Sequence, residues 1–152
     1  MAIREIQTGL ENPILRKRSE EVKEITPEIK RLIRDMYDTL HLDGIGLASP
    51  QVGENLRIVL VTTDPETKKA KTHTMINPVI TFFSEETEIS EEGCLSLPKF
   101  FANISRSREV IVQFKNEKWK TQIIKLNRLN ARIVQHEIDH LDGILFADKA
   151  GK

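Results

Sequence analysis

Arg128-Leu129-Asn130-Ala131-Arg132-Ile133-Val134-Gln135-His136-Glu137-Ile138-Asp139-His140-Leu141 reads as one helix, and its pattern decides how the rest of the chain must be arranged. Asn127 can cap its start and Gly143 lies just past its end. On a helical wheel Leu129, Ile133, His136 and His140 share one face, while Ala131, Val134, Ile138 and Leu141 share another. Arg132, Gln135 and Asp139 form the one narrow strip suited to water. A helix that is apolar on two sides is buried, so other elements must pack around this one.

Working outward, a second helix is predicted near the N-terminus. Thr26 is a suitable N-cap and Pro27 stands at the first helical position, where its missing N–H costs nothing. Ile29, Leu32, Ile33, Met36, Tyr37 and Leu40 then form one apolar stripe, and Asp43-Gly44 stops it. Residues 1–25 mix short apolar pieces with turn residues, including Asn12-Pro13. Between the helices the pattern is β. Strands are predicted at Arg57–Thr62, Thr72–Ile76, Val79–Phe83, Thr87–Ser90, Val110–Phe114 and Thr121–Leu126. Asp64–Thr67 reads as a turn, Asn77-Pro78 as a break, and Lys115–Lys118 as the tip of a hairpin. This order predicts an α+β fold: antiparallel β-sheets packed around a buried C-terminal helix, with an N-terminal helix outside.

Size and charge narrow the function. At 152 residues and 17.4 kDa the chain fits a single domain, 1–152. Lys+Arg and Asp+Glu are both 23, so there is no cationic excess for binding nucleic acid by bulk charge. No apolar run approaches the ~20 residues of a membrane span, so no membrane association is expected. Cys94 is the one cysteine, which excludes an internal disulfide and suits a reducing compartment. No signal or transit segment is visible in MAIREIQTGL, and the expected location is the cytoplasm.

The buried helix also carries chemistry. His136-Glu137-Ile138-Asp139-His140 matches H-E-x-x-H. Four helical residues turn the chain by about 400°, so the two imidazoles project from nearly one face, one turn apart. They can share a metal ion, with Glu137 beside them as a candidate general base. The competing reading is a pair of core histidines bonded to backbone. A catalytic site needs a third protein ligand, and Cys94, His41, His73 and the acidic residues are all candidates. His41 and His73 read as surface residues, and Cys94, taken by itself, reads better as a small buried hydrophobe. Gly44-Ile45-Gly46 is not a nucleotide loop, because Ser49 stands where a third glycine would be and the segment follows a helix. Ile45–Leu47 reads instead as an extended edge on which a peptide substrate could pair as an added strand. Gln51, taken by itself, is an ordinary loop amide.

Three segments together resemble the peptide deformylase family. Gly44-Ile45-Gly46-Leu47-Ala48-Ser49-Pro50-Gln51 is similar to its G-Φ-G-Φ-A-A/S-x-Q motif, Glu92-Gly93-Cys94-Leu95-Ser96 to E-G-C-Φ-S, and His136-Glu137-Ile138-Asp139-His140 to H-E-Φ-D-H. Met75-Ile76-Asn77-Pro78 also looks familial. The resemblance spans essentially the whole chain. It implies removal of the formyl group from N-formyl-methionyl peptides of nascent chains, with release of formate. Cys94, His136 and His140 would bind a divalent metal, Fe²⁺ in the family, for which Zn²⁺, Ni²⁺ or Co²⁺ could substitute. Glu137 would move the proton, and the Gln51 amide and Leu95 N–H would hold the oxyanion. Gly44, Ile45, Gly46 and Glu92 would contact the substrate, and Glu92 could also pair with Arg106. This sequence departs from the family's usual pattern at Ser49, Phe101 and Arg128. As it stands, ending nine residues after Gly143, it would also lack the extra C-terminal helix of many bacterial members. A zinc peptidase and a non-catalytic binding module on the same fold are the alternatives.

Overall fold

The computed structural model describes residues 2–41 and 44–150. Among the described residues there are three α-helices: α1 (Pro13–Arg16), α2 (Pro27–Leu40) and α3 (Arg128–Leu141). Seven strands accompany them: β1 (Gly46–Ala48), β2 (Ile58–Thr63), β3 (Lys71–Phe83), β4 (Thr87–Cys94), β5 (Leu97–Ser107), β6 (Glu109–Lys115) and β7 (Thr121–Asn127). β1-β2-β3-β6-β7 form one antiparallel sheet in that order, and β4-β5 form a separate hairpin. The expected α+β class is the observed one.

The central sheet is covered on both faces, and β2 shows why. Its residues alternate: Ile58 and Leu60 pack with Leu32, Ile33, Met36 and Leu40 of α2, whereas Val59 and Val61 pack with Ala131, Val134, Ile138 and Leu141 of α3. A strand buried on both faces must be apolar throughout, which is the run seen from Ile58 to Val61. Each of these side chains contributes roughly 1.5–3 kcal/mol by leaving water. α2 begins as expected, with Thr26 Oγ1 accepting a hydrogen bond from the Ile29 N–H. It ends at Leu40; Asp43, part of its expected stop, lies outside the described residues.

Several expectations are corrected. Asn77-Pro78 does not break the strand. β3 runs through it with a shift of register against β6, and Asn77 takes a left-handed backbone (φ 52°). A bulge tolerates both that conformation and a proline lacking its N–H. The Asn77 side chain accepts from the Val22 N–H and donates to the Val22 carbonyl, tying the N-terminal segment to the sheet. β5 was not expected, and Asn12-Pro13 opens the short helix α1 rather than a plain turn: Asn12 Oδ1 caps the Ile14 N–H. The largest correction concerns α3. Arg132 and Gln135 are buried and Asp139 is nearly so, because the hairpin β4-β5 covers the strip expected to face water. α3 is thus wedged between the five-stranded sheet and the hairpin.

Candidate metal centre

α3 presents His136, Glu137 and His140 into the space between the two sheets, and the hairpin delivers Cys94. Cys94 ends β4, where the register slips between Glu92 and Cys94. The ligand atoms of Cys94, His136 and His140 all lie within 4.8 Å of one another. Cys94 Sγ is 3.3 Å from His140 Nε2. Donors of a tetrahedral ion with bonds of about 2.0–2.3 Å stand about 3.6 Å apart, so a thiolate and two imidazoles at these positions fit a divalent metal. The other candidates for the third ligand are elsewhere: His41 is exposed at the end of α2, and His73 is half-buried on β3, bonded to Thr63.

His136 is held from behind. Its Nδ1 is 2.9 Å from Glu92 Oε1, and the Phe146 ring stacks on it with centroids 5.8 Å apart. A bond at Nδ1 leaves Nε2 for a ligand and fixes the ring. Glu92 is itself gripped: Arg106 donates to both of its oxygens at 2.6 and 2.9 Å, and Arg132 donates to Oε2 at 2.6 Å. Burial alone would raise the Glu92 carboxyl, but the bonds from His136 and Arg106 outweigh it and hold it at about 2. Burial would likewise lower His136, yet its bonds to Cys94 and Glu92 raise it to about 10. Glu92, expected among the substrate contacts, therefore has both carboxylate oxygens committed inside the protein. Arg106 also reaches Asp139 at 2.9 Å, and Lys149 reaches the same carboxylate at 3.0 Å.

The residues expected to act on substrate surround a cavity of about 590 Å³, lined among others by Ile45, Gly46, Gln51, Cys94, Leu95 and Glu137. Glu137 is 5% exposed, and Oε1 has no hydrogen-bond partner among the described residues. Burial pushes its carboxyl up to about 7, against the pull of His136 and Arg106. His140 is driven well below its ordinary value, first by burial and then by the charges of His136 and Arg106; a neutral imidazole is the ligand form. Gln51 sits in a 3₁₀ turn after β1. Its Oε1 accepts from the Ala48 N–H at 2.9 Å, which turns Nε2 toward Ser96 Oγ (3.2 Å) and Cys94 Sγ (3.5 Å). Leu95 follows Cys94 in the turn between β4 and β5, and Gly44 and Ile45 line the mouth of the cavity beside β1.

Sequence reasoning missed Arg132 and Phe146, and gave Ser96 a place in a motif but no role. Arg132 read as a water-facing residue of α3, and its partner Glu92 is 40 positions away. Neither its burial nor its partner has a local signature.

A family profile for polypeptide deformylase matches residues 3–152. The chain belongs to the peptide deformylase family. Peptide deformylases are metal-dependent hydrolases, and removal of the N-formyl group from newly made polypeptides is the function of this chain. The peptide deformylase of Pseudothermotoga lettingae is 44% identical over 140 residues, covering 91% of this chain and 78% of that one. The crystal structure of the deformylase from Thermotoga maritima superposes with a TM-score of 0.92 at 35% identity, covering all of both chains. That of the class I type b enzyme from Acinetobacter baumannii, solved with Met-Ala-Ser bound, gives 0.89 at 30% identity over 97% of this chain and 98% of that one. Among the described residues no helix is long and apolar enough to cross a membrane.

Proposed function

We propose that Cys94, His136 and His140 hold the metal of this deformylase, and that the ion is Fe²⁺, for which Zn²⁺, Ni²⁺ or Co²⁺ can substitute. The observation carrying this reading is the convergence of one sulfur and two imidazoles within 4.8 Å beside a buried carboxylate whose Oε1 has no donor among the described residues. When bound, such a metal supplies Lewis-acid polarisation and a water of lowered pKa. The protein's own groups do the rest. Glu137 takes the proton of the attacking water at its carboxylate and returns it to the departing amine; a carboxyl raised toward 7 can do both near neutral pH. The Gln51 Nε2–H and the Leu95 N–H donate to the oxygen that becomes negative as the formyl carbon turns tetrahedral. The Gln51 orientation imposed by the Ala48 N–H supports this role, because it aims the donor at the cluster without further rearrangement.

The peptide, in this reading, lies along the outer edge of β1. β1 pairs with β2 on one side only and ends the sheet; the Gly44 N–H is bonded to the Leu40 carbonyl and the Ile45 carbonyl accepts from Thr62, so Gly46 is the residue of this stretch that offers its backbone groups for β-addition. Ile45, Leu129 and Ile133 give the cavity an apolar side suited to a methionine side chain. Glu92 acts through its bond to His136. The substrates are N-formyl-methionyl nascent chains, handled by one catalytic domain in the cytoplasm. The test is hydrolysis of formyl-Met-Ala-Ser by anaerobically prepared protein, beside an unformylated peptide with cleavable internal bonds. Formate release from the first alone is expected; cleavage of the second would favour a peptidase. Glu137→Gln should keep its metal and lose at least ~10²-fold in turnover.

A further inference from the structure

Gly46 opens β1 and lies against α3 at Glu137. A Cβ placed on Gly46 would stand 3.0 Å from both Glu137 Cγ and Glu137 Cδ, and nearer still to Oε2. The carboxylate therefore occupies the volume that any side chain at position 46 would fill. The backbone does not ask for glycine here. Among the described residues the glycines with positive φ are Gly9, Gly53 and Gly143, while Gly46 sits in the ladder opposite Val61. A glycine within a strand weakens it and marks a close approach, and the group approaching this one is the Glu137 side chain. Oε1 of that side chain has no hydrogen-bond partner among the described residues, so packing against β1 must do what a bond does for Gln51.

We propose that Gly46 is a positioning residue for Glu137: its missing side chain is the slot that sets where the carboxylate stands beside Cys94, His136 and His140. The proposal rests on the reading of Glu137 as the proton carrier. Adding one methyl group would push the carboxylate toward the cavity, which has room to receive it. The fold then survives while the proton-transfer geometry does not.

The experiment is a double-mutant cycle on Ni²⁺-loaded protein: wild type, Gly46→Ala, Glu137→Ala and the double variant. Metal content, thermal midpoint, and kcat and KM on formyl-Met-Ala-Ser are measured for each. A misplacement of about 1 Å costs about 10²-fold, so Gly46→Ala should lose about that much in kcat. It should keep its metal, with KM within about threefold of wild type. Glu137→Ala removes Cγ, Cδ and Oε2, every atom named above. In that background Gly46→Ala should therefore cost no further activity, and its lowering of the thermal midpoint should vanish. If Gly46→Ala alone does not fold, a folded double variant supports the same conclusion and an unfolded one overturns it. The proposal is also overturned by a near-normal kcat for Gly46→Ala, by a loss confined to KM, or by an equal thermal loss in both backgrounds. Wild-type turnover by Glu137→Ala would overturn the assignment of Glu137 and this inference with it. An inactive Glu137→Ala beside a fully active Gly46→Ala overturns this inference alone.

Discussion

Replacing Glu92 by glutamine should unsettle both the fold and the metal without touching a ligand. The carboxylate is 6% exposed and receives Arg106, Arg132 and His136. Glutamine keeps the shape and removes the charge, leaving the Arg106 guanidinium, itself 2% exposed, with only Asp139 to balance it. A carboxyl held at about 2 against an ordinary 4.5 corresponds to about 3 kcal/mol in favour of the folded, charged form. Breaking a buried pair by removing one partner costs about 3–5 kcal/mol, so the two routes agree on about 3–4 kcal/mol. The pH dependence has a fixed sign. The folded pKa lies below the unfolded one, so this stability is present above about pH 4.5 and is lost as pH falls toward 2. Metal-free wild type and Glu92→Gln should therefore differ most near neutrality and converge in acid. Urea unfolding followed by far-UV circular dichroism at several pH values measures this. Because Glu92 also fixes the His136 ring, chelator competition should show metal affinity down by about 10–100-fold. A stability loss below about 1 kcal/mol, the worth of a surface pair, together with unchanged metal affinity would refute the reasoning.

Two further substitutions separate chemistry from packing. Gln51→Ala should keep fold and metal and raise the barrier by roughly 2.7–4 kcal/mol, as loss of one oxyanion donor does; steady-state kinetics would show a fall in kcat, and a change confined to KM would mean ground-state binding instead. Leu60→Ala, fully buried on the α2 side of β2, should cost about 2–5 kcal/mol in urea unfolding while leaving kcat of the folded protein near wild type, since that face of the sheet looks away from the cluster.

The helix that organises the site was legible because its signals are local. The spacing of His136, Glu137 and His140, the apolar positions between them and Gly143 all fall within one short stretch. The same holds for α2, where one stripe and one N-cap suffice, and for the hairpin β6-β7. What was not legible depends on partners far away in sequence. Arg132, Gln135 and Asp139 read as a wet strip because charged and amide side chains usually are wet. Their burial depends on the β4-β5 hairpin, which brings Glu92, Ser107 and Arg106 to them. Asn77-Pro78 carries the composition of a turn, yet the Val22 backbone satisfies the asparagine and turns a break into a bulge. In β5 the adjacent, partly exposed Phe100 and Phe101 blur the period of two that would mark a strand. Gly46 read as room for a substrate backbone; the structure adds that a carboxylate from α3 fills the place where its side chain would stand.

The central claim is that Cys94 is a metal ligand and not a small core residue. Cys94→Ala and wild type, both prepared without oxygen, should be compared for bound iron and for deformylation of formyl-Met-Ala-Ser on the same samples. Removing one of three protein ligands should strip the iron and abolish turnover, although the substitution is small and apolar. A structural cysteine would behave otherwise, with a modest loss of stability and nothing else. Near-normal iron content and near-normal turnover in Cys94→Ala would contradict the ligand assignment and the mechanism built on it.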